Sequence, residues 1–317
     1  MNNENEAEEI MARVRTHLES ANNMHKLNYL NEDKFFGYNT GTVIITITVT
    51  PRDIGNICNC NFEIAKFLGY HHKEVIGKNV RTLMPKILQD NHDSFLQNYF
   101  ETAKAKILEQ KRLIVAKDKD GYLVIGNVLV KAIPNLKRNL TFVGFLRKLD
   151  DHDPFLQPPS QYSRLDYHIM LTDTEGQIYG FTRNCWETFG FKPPFFFNQF
   201  GDPEQQIRME FIVKSLKDAS FLQTPEIRKE GVFCSLDTGV VMENAPRELL
   251  SKDEQELMLN ISGSYNINLQ LEELSFWNGR INLRIFKIIK HSRIIRSQNA
   301  FDVVGGMAGG PALSFDS

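Results

Sequence analysis

A single long helical period, set between two groups of alternating β-branched residues, constrains this chain most. From Ile87 to Ala103 the residues His92, Phe95, Leu96, Tyr99 and Ala103 recur at helical spacing on one face. Just before them, the run I-G-K-N-V-R-T-L-M-P at 76–85 reads as a tight turn closed by a proline that stops a helix. On the N-terminal side, Val43, Ile45, Ile47 and Val49 alternate with Ile44, Thr46 and Thr48, which predicts a strand. Asp53 to Gly55 is a turn and Asn56 to Cys60 a second short strand. Asn61 is the expected N-cap of a short helix carrying Phe62, Ala65, Phe67 and Leu68, with Gly69 ending it. On the C-terminal side, Lys111–Lys117 and Tyr122–Ile133 flank Asp118-Lys119-Asp120-Gly121, and an Asp-Gly pair between strand-like runs signals a hairpin. Leu140 to Leu149 adds one more strand. This order predicts an α+β unit, a five-stranded antiparallel sheet with helices on one face.

Composition narrows the function classes. At 317 residues the chain can hold two ordinary domains. A formal net charge of −2 gives no reason to expect nucleic acid as a partner. No apolar run approaches the ~20 residues of a membrane span, and the acidic, polar N-terminus is not a secretory signal. An intracellular place, cytoplasmic or cytoskeletal, is the expectation. Cysteines 58, 60, 185 and 234 form no C-x-x-C pair, so neither a zinc ribbon nor a disulfide framework is expected. Cys58 and Cys60, two apart in a strand, should face the same way as reduced, mostly buried thiols. Ile10, Met11, Val14 and Leu18 recur at helical spacing near the N-terminus, as in a packing or coupling helix.

The second half reads as a diverged copy of the first. Tyr167–Leu171 and Gln177–Phe181 are strands, and F-T-R-N-C-W-E-T-F-G-F at 181–191 parallels C-N-C-N-F-E-I-A-K-F-L-G-Y at 58–70. Both runs go strand, capping asparagine, apolar helix, glycine, aromatic. Tyr265–Phe276 and Arg280–Ile289 flank Trp277-Asn278-Gly279, a type I′ hairpin signal. Between these ends, 192–262 lacks the L-M-P and H-D runs, carries Phe195-Phe196-Phe197, and predicts a helix near Gln205–Leu216 and a charged insertion or helix around 243–257. The proline-rich, acidic stretch Asp150–Ser160 is a linker. The glycines after His291 predict a solvated tail.

On the runs N-F-E-I-A-K-F-L-G-Y at 61–70, K-E-V-I-G-K-N-V-R-T-L-M-P at 73–85, H-D-S-F-L at 92–96 and D-K-D-G at 118–121, the segment from about 40 to 150 resembles a PAS domain. The L-M-P … H-D-x-F-L variant is especially similar to the PAS domains of tiny-macrocyst-B-like proteins of ciliates and other protists. The resulting division is an N-terminal helix and linker over 1–39, a PAS domain over 40–150, a linker over 151–162, a PAS-like domain over 163–292 and a tail over 293–317.

The resemblance implies a pocket, and residues decide what could fill it. Flavin-binding photoreceptor domains resemble this one at the turn before the long helix but carry a reactive cysteine where Val80 stands, and a valine forms no flavin–thiol adduct. Arg183-Asn184-Cys185 copies that pattern on the wrong element. Haem-binding PAS domains of rhizobial oxygen sensors share L-M-P followed by H-D-x-[FY]. By that resemblance His92 is the iron ligand, the sole metal-binding candidate, and Arg112 stands where a bound oxygen would be steadied. Ile107, Val128 and Val130 would then be apolar distal walls, whereas Asn98 stands where a basic residue would meet a propionate. The competing reading makes His92 a core histidine and Arg112 an ordinary strand residue. His71-His72 is poor metal-ligand geometry in a polar turn. Neither a phosphate-cradling glycine loop nor a nucleophile elbow occurs, so no enzyme activity is expected. The expectation is a non-catalytic sensor or interaction protein without a cofactor, a subunit of a larger assembly or a homodimer, with its outer sheet face open to partners. A haem-based gas or redox sensor is the alternative.

Overall fold

A computed structural model describes residues 41–50, 53–102, 108–135, 139–149, 155, 168–197, 207–243, 248, 250–276 and 279–294. The N-terminal helix, most of the linker, Ile107 and the tail after 294 lie outside the described residues.

The first half folds as its strand pattern predicts. β1 (Val43–Thr48), β2 (Ile57–Cys60), β3 (Arg112–Lys117), β4 (Leu123–Asn135) and β5 (Asn139–Lys148) form an antiparallel sheet in the order β2-β1-β5-β4-β3. Helices α1 (Ile64–Leu68), α2 (His72–Val75) and α3 (Lys86–Thr102) and a 3₁₀ turn at Val80–Leu83 join β2 to β3. Gly69 closes α1 at φ 73°, a left-handed position that suits glycine. The first core joins Val43, Ile45 and Ile47 to Phe67, Leu68, Leu96, Tyr99 and Phe142.

Two local expectations fail for identifiable reasons. Asn61 does not cap α1, whose N-cap Glu63 makes no side-chain cap bond. Instead the Asn61 amide clamps β1, accepting from Ile44 N and donating to Thr42 O. Cys58 and Cys60 do not share a face either. The β1–β2 ladder slips between Thr46 and Ile47, so Ile57 and Cys60 are the buried pair and Cys58 is half-buried. Burial raises the Cys60 thiol to about 11.

The second half builds a second five-stranded sheet. β6 (His168–Thr172), β7 (Ile178–Phe181), β8 (Val232–Asp237), β9 (Ser264–Phe276) and β10 (Ile281–Arg293) are ordered β7-β6-β10-β9-β8, the same succession as in the first sheet. This is a second, diverged PAS-like fold. Helix α4 (Asn184–Phe189) starts after Arg183, so Asn184 is its first residue and not its cap. Among the described residues, the stretch between α4 and β8 holds short helices: α5 (Pro193–Phe196), α6 (Met209–Ile212), α7 (Ala219–Gln223) and α8 (Pro225–Lys229). The single helix expected near 205–216 is therefore α6 followed by a 3₁₀ turn at Lys214–Lys217. α9 (Gly239–Glu243) and α10 (Lys252–Ile261) sit between β8 and β9, and α10 takes the charged segment; its cap, Ser251, forms a capping box with Glu254. β10 runs on to Arg293, past the end expected for the domain.

Phe181, Phe189, Phe191, Phe195 and Phe196 are all buried in the second core, and Phe181, Phe189, Phe191 and Phe196 contact one another as ring pairs. The F-F-F run is thus core filling. His168, 3% exposed, lies against this cluster and bonds Thr188 Oγ1 through Nε2 at 2.7 Å. Burial, helped by His291, lowers its pKa from 6.5 to about 4. Between those values the unfolded chain takes up a proton that the folded chain refuses. Stability should therefore be full above pH ~6.5 and fall by up to ~3 kcal/mol as pH drops towards 4. Urea midpoints at pH 7 and pH 5 test this: His168→Phe should flatten the difference, and an unchanged slope would assign it to other groups.

The sheets meet through their outer faces. Along each strand successive side chains alternate between clusters. Ala116 and Val124 enter the first core, Met170, Phe286 and Ile288 the second, while Val115, Leu123, Ile125, Ile169, Leu171, Leu283 and Ile285 form a third cluster between the sheets. The outer face expected to be open to partners is therefore covered at β3–β4 by the chain's own second sheet. The β3–β4 turn reinforces the contact. Arg183 Nη2 reaches Asp118 and Asp120 at 2.8 and 2.7 Å, and its guanidinium lies 4.5 Å from the Tyr122 ring centre.

Candidate functional site

A cavity of about 880 Å³ lies between α3 and the inner sheet face and extends around the β3 edge to the β9–β10 tip of the second domain. That is inside the ~300–1,000 Å³ range of small-molecule sites. His92, Phe95, Leu96 and Tyr99 line it from α3, as their shared helical face predicts. Ile45, Ile47, Val128, Val130, Phe142 and Leu146 line it from the sheet, and Val80, Leu83, Met84 and Leu88 from the 3₁₀ turn and the start of α3. β3 is an edge strand, and both of its faces contribute: Arg112, Ile114 and Ala116 from one, Leu113 and Val115 from the other. Apart from His92, Tyr99, Arg112 and Ser275, the lining side chains are apolar.

Local chemistry fixes this wall. Asn79 bonds Ile54 O through its amide nitrogen and caps the 3₁₀ turn by accepting from Arg81 N. Arg81 then pairs with Asp93 at 2.9 Å, tying the turn to α3. Asp93 in the H-D pair is thus an anchor, which leaves His92 turned to the cavity.

His92 Nδ1 lies 3.7 Å from Asp93 Oδ1, too far for a hydrogen bond, and both atoms are buried without a partner among the described residues. Burial lowers the His92 pKa, and neighbouring Asp93 only partly opposes this. The imidazole is therefore neutral at pH 7 and keeps a free nitrogen lone pair. Arg112, exposed at the start of β3, donates to Gln110 Oε1 at 3.0 Å and also lines the cavity.

The structure gathers His92, Arg112, Val128 and Val130 around one cavity; Ile107 lies outside the described residues, while adjacent Leu108 lines the wall. Sequence reasoning missed the residues that come from the other domain. Leu274, Ser275, Phe276 and Gly279, at the β9–β10 tip, also line the cavity. Their only signal was the Asn-Gly hairpin, which says nothing about where its tip docks.

A neutral imidazole whose Nδ1 lacks a hydrogen-bond partner, on a mainly apolar wall, is a fitting axial ligand for haem, with Val128 and Val130 lining the same cavity. Val80 also lines the cavity, and its aliphatic side chain offers no thiol to a flavin. Among the described residues no group of three or more His, Cys, Asp or Glu side chains could hold a metal ion. No described helix is long and apolar enough to cross a membrane.

The sheet order, the long pocket-lining helix and the stretch they span agree with one family. Residues 43–147 match the PAS domain family. A probable serine/threonine-protein kinase of Dictyostelium discoideum is 26% identical over 172 residues, which is 53% of this chain and 10% of the kinase. The chain thus spans about a tenth of that relative's length, and the match assigns no catalytic activity to this chain. Among solved structures, the PAS domain of the Cronobacter turicensis RpfR quorum-sensing receptor, in complex with BDSF, is 16% identical and covers 36% of this chain and 99% of its own, with a TM-score of 0.28. The PAS domain of an HTR-like protein from Haloarcula marismortui is 18% identical and covers 39% and 99%, with a TM-score of 0.27. Nothing about this chain's ligand follows from likenesses this remote.

Proposed function

We propose that the PAS domain is a non-catalytic sensor that binds a small, mainly apolar molecule in the α3–sheet cavity, and that the second PAS-like domain couples occupancy to protein partners. The cavity itself carries this reading. Some 880 Å³ bounded by aliphatic and aromatic side chains with few polar groups suits an organic ligand, and a purely architectural domain has no need of it. A ligand acts by favouring one arrangement of sheet and helix over another. The partner-binding surface lies away from β3–β4, since that face is already covered. Exposed Phe62, Phe233 and Leu259 mark alternatives, at 72%, 65% and 75% exposure. Assignment to the tiny-macrocyst-B-like group rests on the L-M-P … H-D-x-F-L pattern, and a cytoplasmic or cytoskeletal place in a larger assembly follows from that assignment.

Native mass spectrometry of the purified chain, before and after denaturation, tests the ligand reading. A bound small molecule released on unfolding is expected, and an empty chain that binds no apolar probe would sink it.

Neutral His92, whose Nδ1 has no hydrogen-bond partner, specifically favours haem as a second reading. His92 would ligate the iron and Val128 and Val130 would wall the pocket; when bound, the group would supply gas or redox sensing. Titrating hemin into the chain should then give a Soret band that His92→Ala abolishes. A band that survives that substitution would move the iron elsewhere.

A further inference from the structure

The β9–β10 hairpin of the second domain reaches beyond its own sheet. Among the described residues, the part of β10 that pairs with β6 is Arg284–Ile288, and the part of β9 that pairs with β8 is Ser264–Leu269. The rungs Leu274↔Leu283, Ser275↔Asn282 and Phe276↔Ile281 therefore have no third strand among the described residues. Alternation puts Leu274 and Phe276 on the outer face, where both pack into the cluster between the sheets and both line the first domain's cavity. A free two-stranded ribbon is marginally stable in water. This one packs into the cluster between the sheets, which joins Leu88, Val115, Leu123 and Ile125 of the first domain to residues of the second. At the other end of the interface the Arg183–Tyr122 contact fixes the domains to each other, and the ribbon tip is the part of the second domain that lines the cavity.

We propose that the ligand site is shared between the domains: the β9–β10 tip, through Leu274 and Phe276, supplies part of the binding energy and reports occupancy to the second domain. The proposal rests on the cavity being a ligand site. By linkage, a ligand that gains from ribbon contacts stabilises the docked ribbon by the same free energy. In the ligand-bound chain the amides of 270–285 should then exchange more slowly than in the free chain.

The test uses the full chain and 1-anilinonaphthalene-8-sulfonate as the probe, with binding followed by fluorescence and ribbon protection by hydrogen-exchange mass spectrometry. Phe276→Ala should weaken binding about three- to tenfold, and the probe should slow exchange across 270–285 in the wild-type chain. Gly144→Leu, which fills the first domain's side of the cavity, should remove both effects. If Phe276→Ala binds like wild type and exchange in the ribbon is unchanged by probe, while Gly144→Leu still abolishes binding, the shared site is wrong and the ligand reading stands. Absence of binding to the wild-type chain would overturn both. The exchange measurement needs no substitution, so it decides even if Phe276→Ala folds poorly.

Discussion

Gly144→Leu is expected to abolish apolar ligand binding while leaving the fold intact. Gly144 lies on the inner face of β5, opposite Ile45 and Val130, and lines the cavity. A Cβ placed there meets nothing closer than Leu146 Cδ1 at 3.5 Å, an ordinary contact. Neighbouring Gly126 is different, since a Cβ there would come within 2.4 Å of Arg147 O. Of these two strand glycines, only Gly144 can take a side chain without moving the backbone, and that side chain grows into the cavity. Affinity for an apolar probe should fall at least tenfold, about 1.4 kcal/mol. Thermal stability should hold or rise, because the substitution removes a strand glycine, worth roughly 0.5–1 kcal/mol, and buries apolar surface. A probe affinity equal to wild type would show that binding happens elsewhere. A loss of more than ~2 kcal/mol in stability would mean the cavity has no room for the side chain.

The first domain was legible because its local signals agree with its packing. The helical face of His92, Phe95, Leu96 and Tyr99 becomes the cavity wall, and the alternation in β1 becomes the opposite one. What misled was polar chemistry that sequence position alone does not orient. Asn61 stands where a cap would be, yet its amide finds more in the β1 backbone. One extra residue in the β2 ladder decides which cysteine is buried. In the second domain, β8 was not anticipated: V-F-C-S-L-D has too short a pattern, and half-exposed residues at its start give a weak alternation. The Phe195-Phe196-Phe197 run had no assigned purpose until neighbouring helices placed two of its rings in the core. The interface was beyond reach because outer-face residues such as Val115 and Leu171 carry the same alternation whether they meet water, a partner or the same chain.

Tyr122→Ala should be the most damaging single truncation at that interface. The residue belongs in sequence to the first domain's β3–β4 turn, yet it is 3% exposed and sits in the second domain's core. Its ring meets Phe181 edge-on at 6.0 Å, and Arg183 covers its face at 4.5 Å. The ion pairs beside it count for less. Arg183 is 48% and Asp120 63% exposed, so solvent screens that pair; Asp118 is 10% exposed but keeps its bonds from Asp120 N and Tyr122 N, so Arg183→Ala should cost ~1–2 kcal/mol. Tyr122→Ala removes a buried ring, which by analogy with other aromatic truncations costs about 3–5 kcal/mol. The loss falls on the coupling between domains as well as on the second core. Wild type should unfold in urea as one transition by fluorescence and circular dichroism, and Tyr122→Ala should separate it into two. Tyr122→Phe keeps the ring and should stay within ~1 kcal/mol of wild type. A single transition at the wild-type midpoint in Tyr122→Ala would show that the domains are joined through the Val115–Leu171 cluster alone.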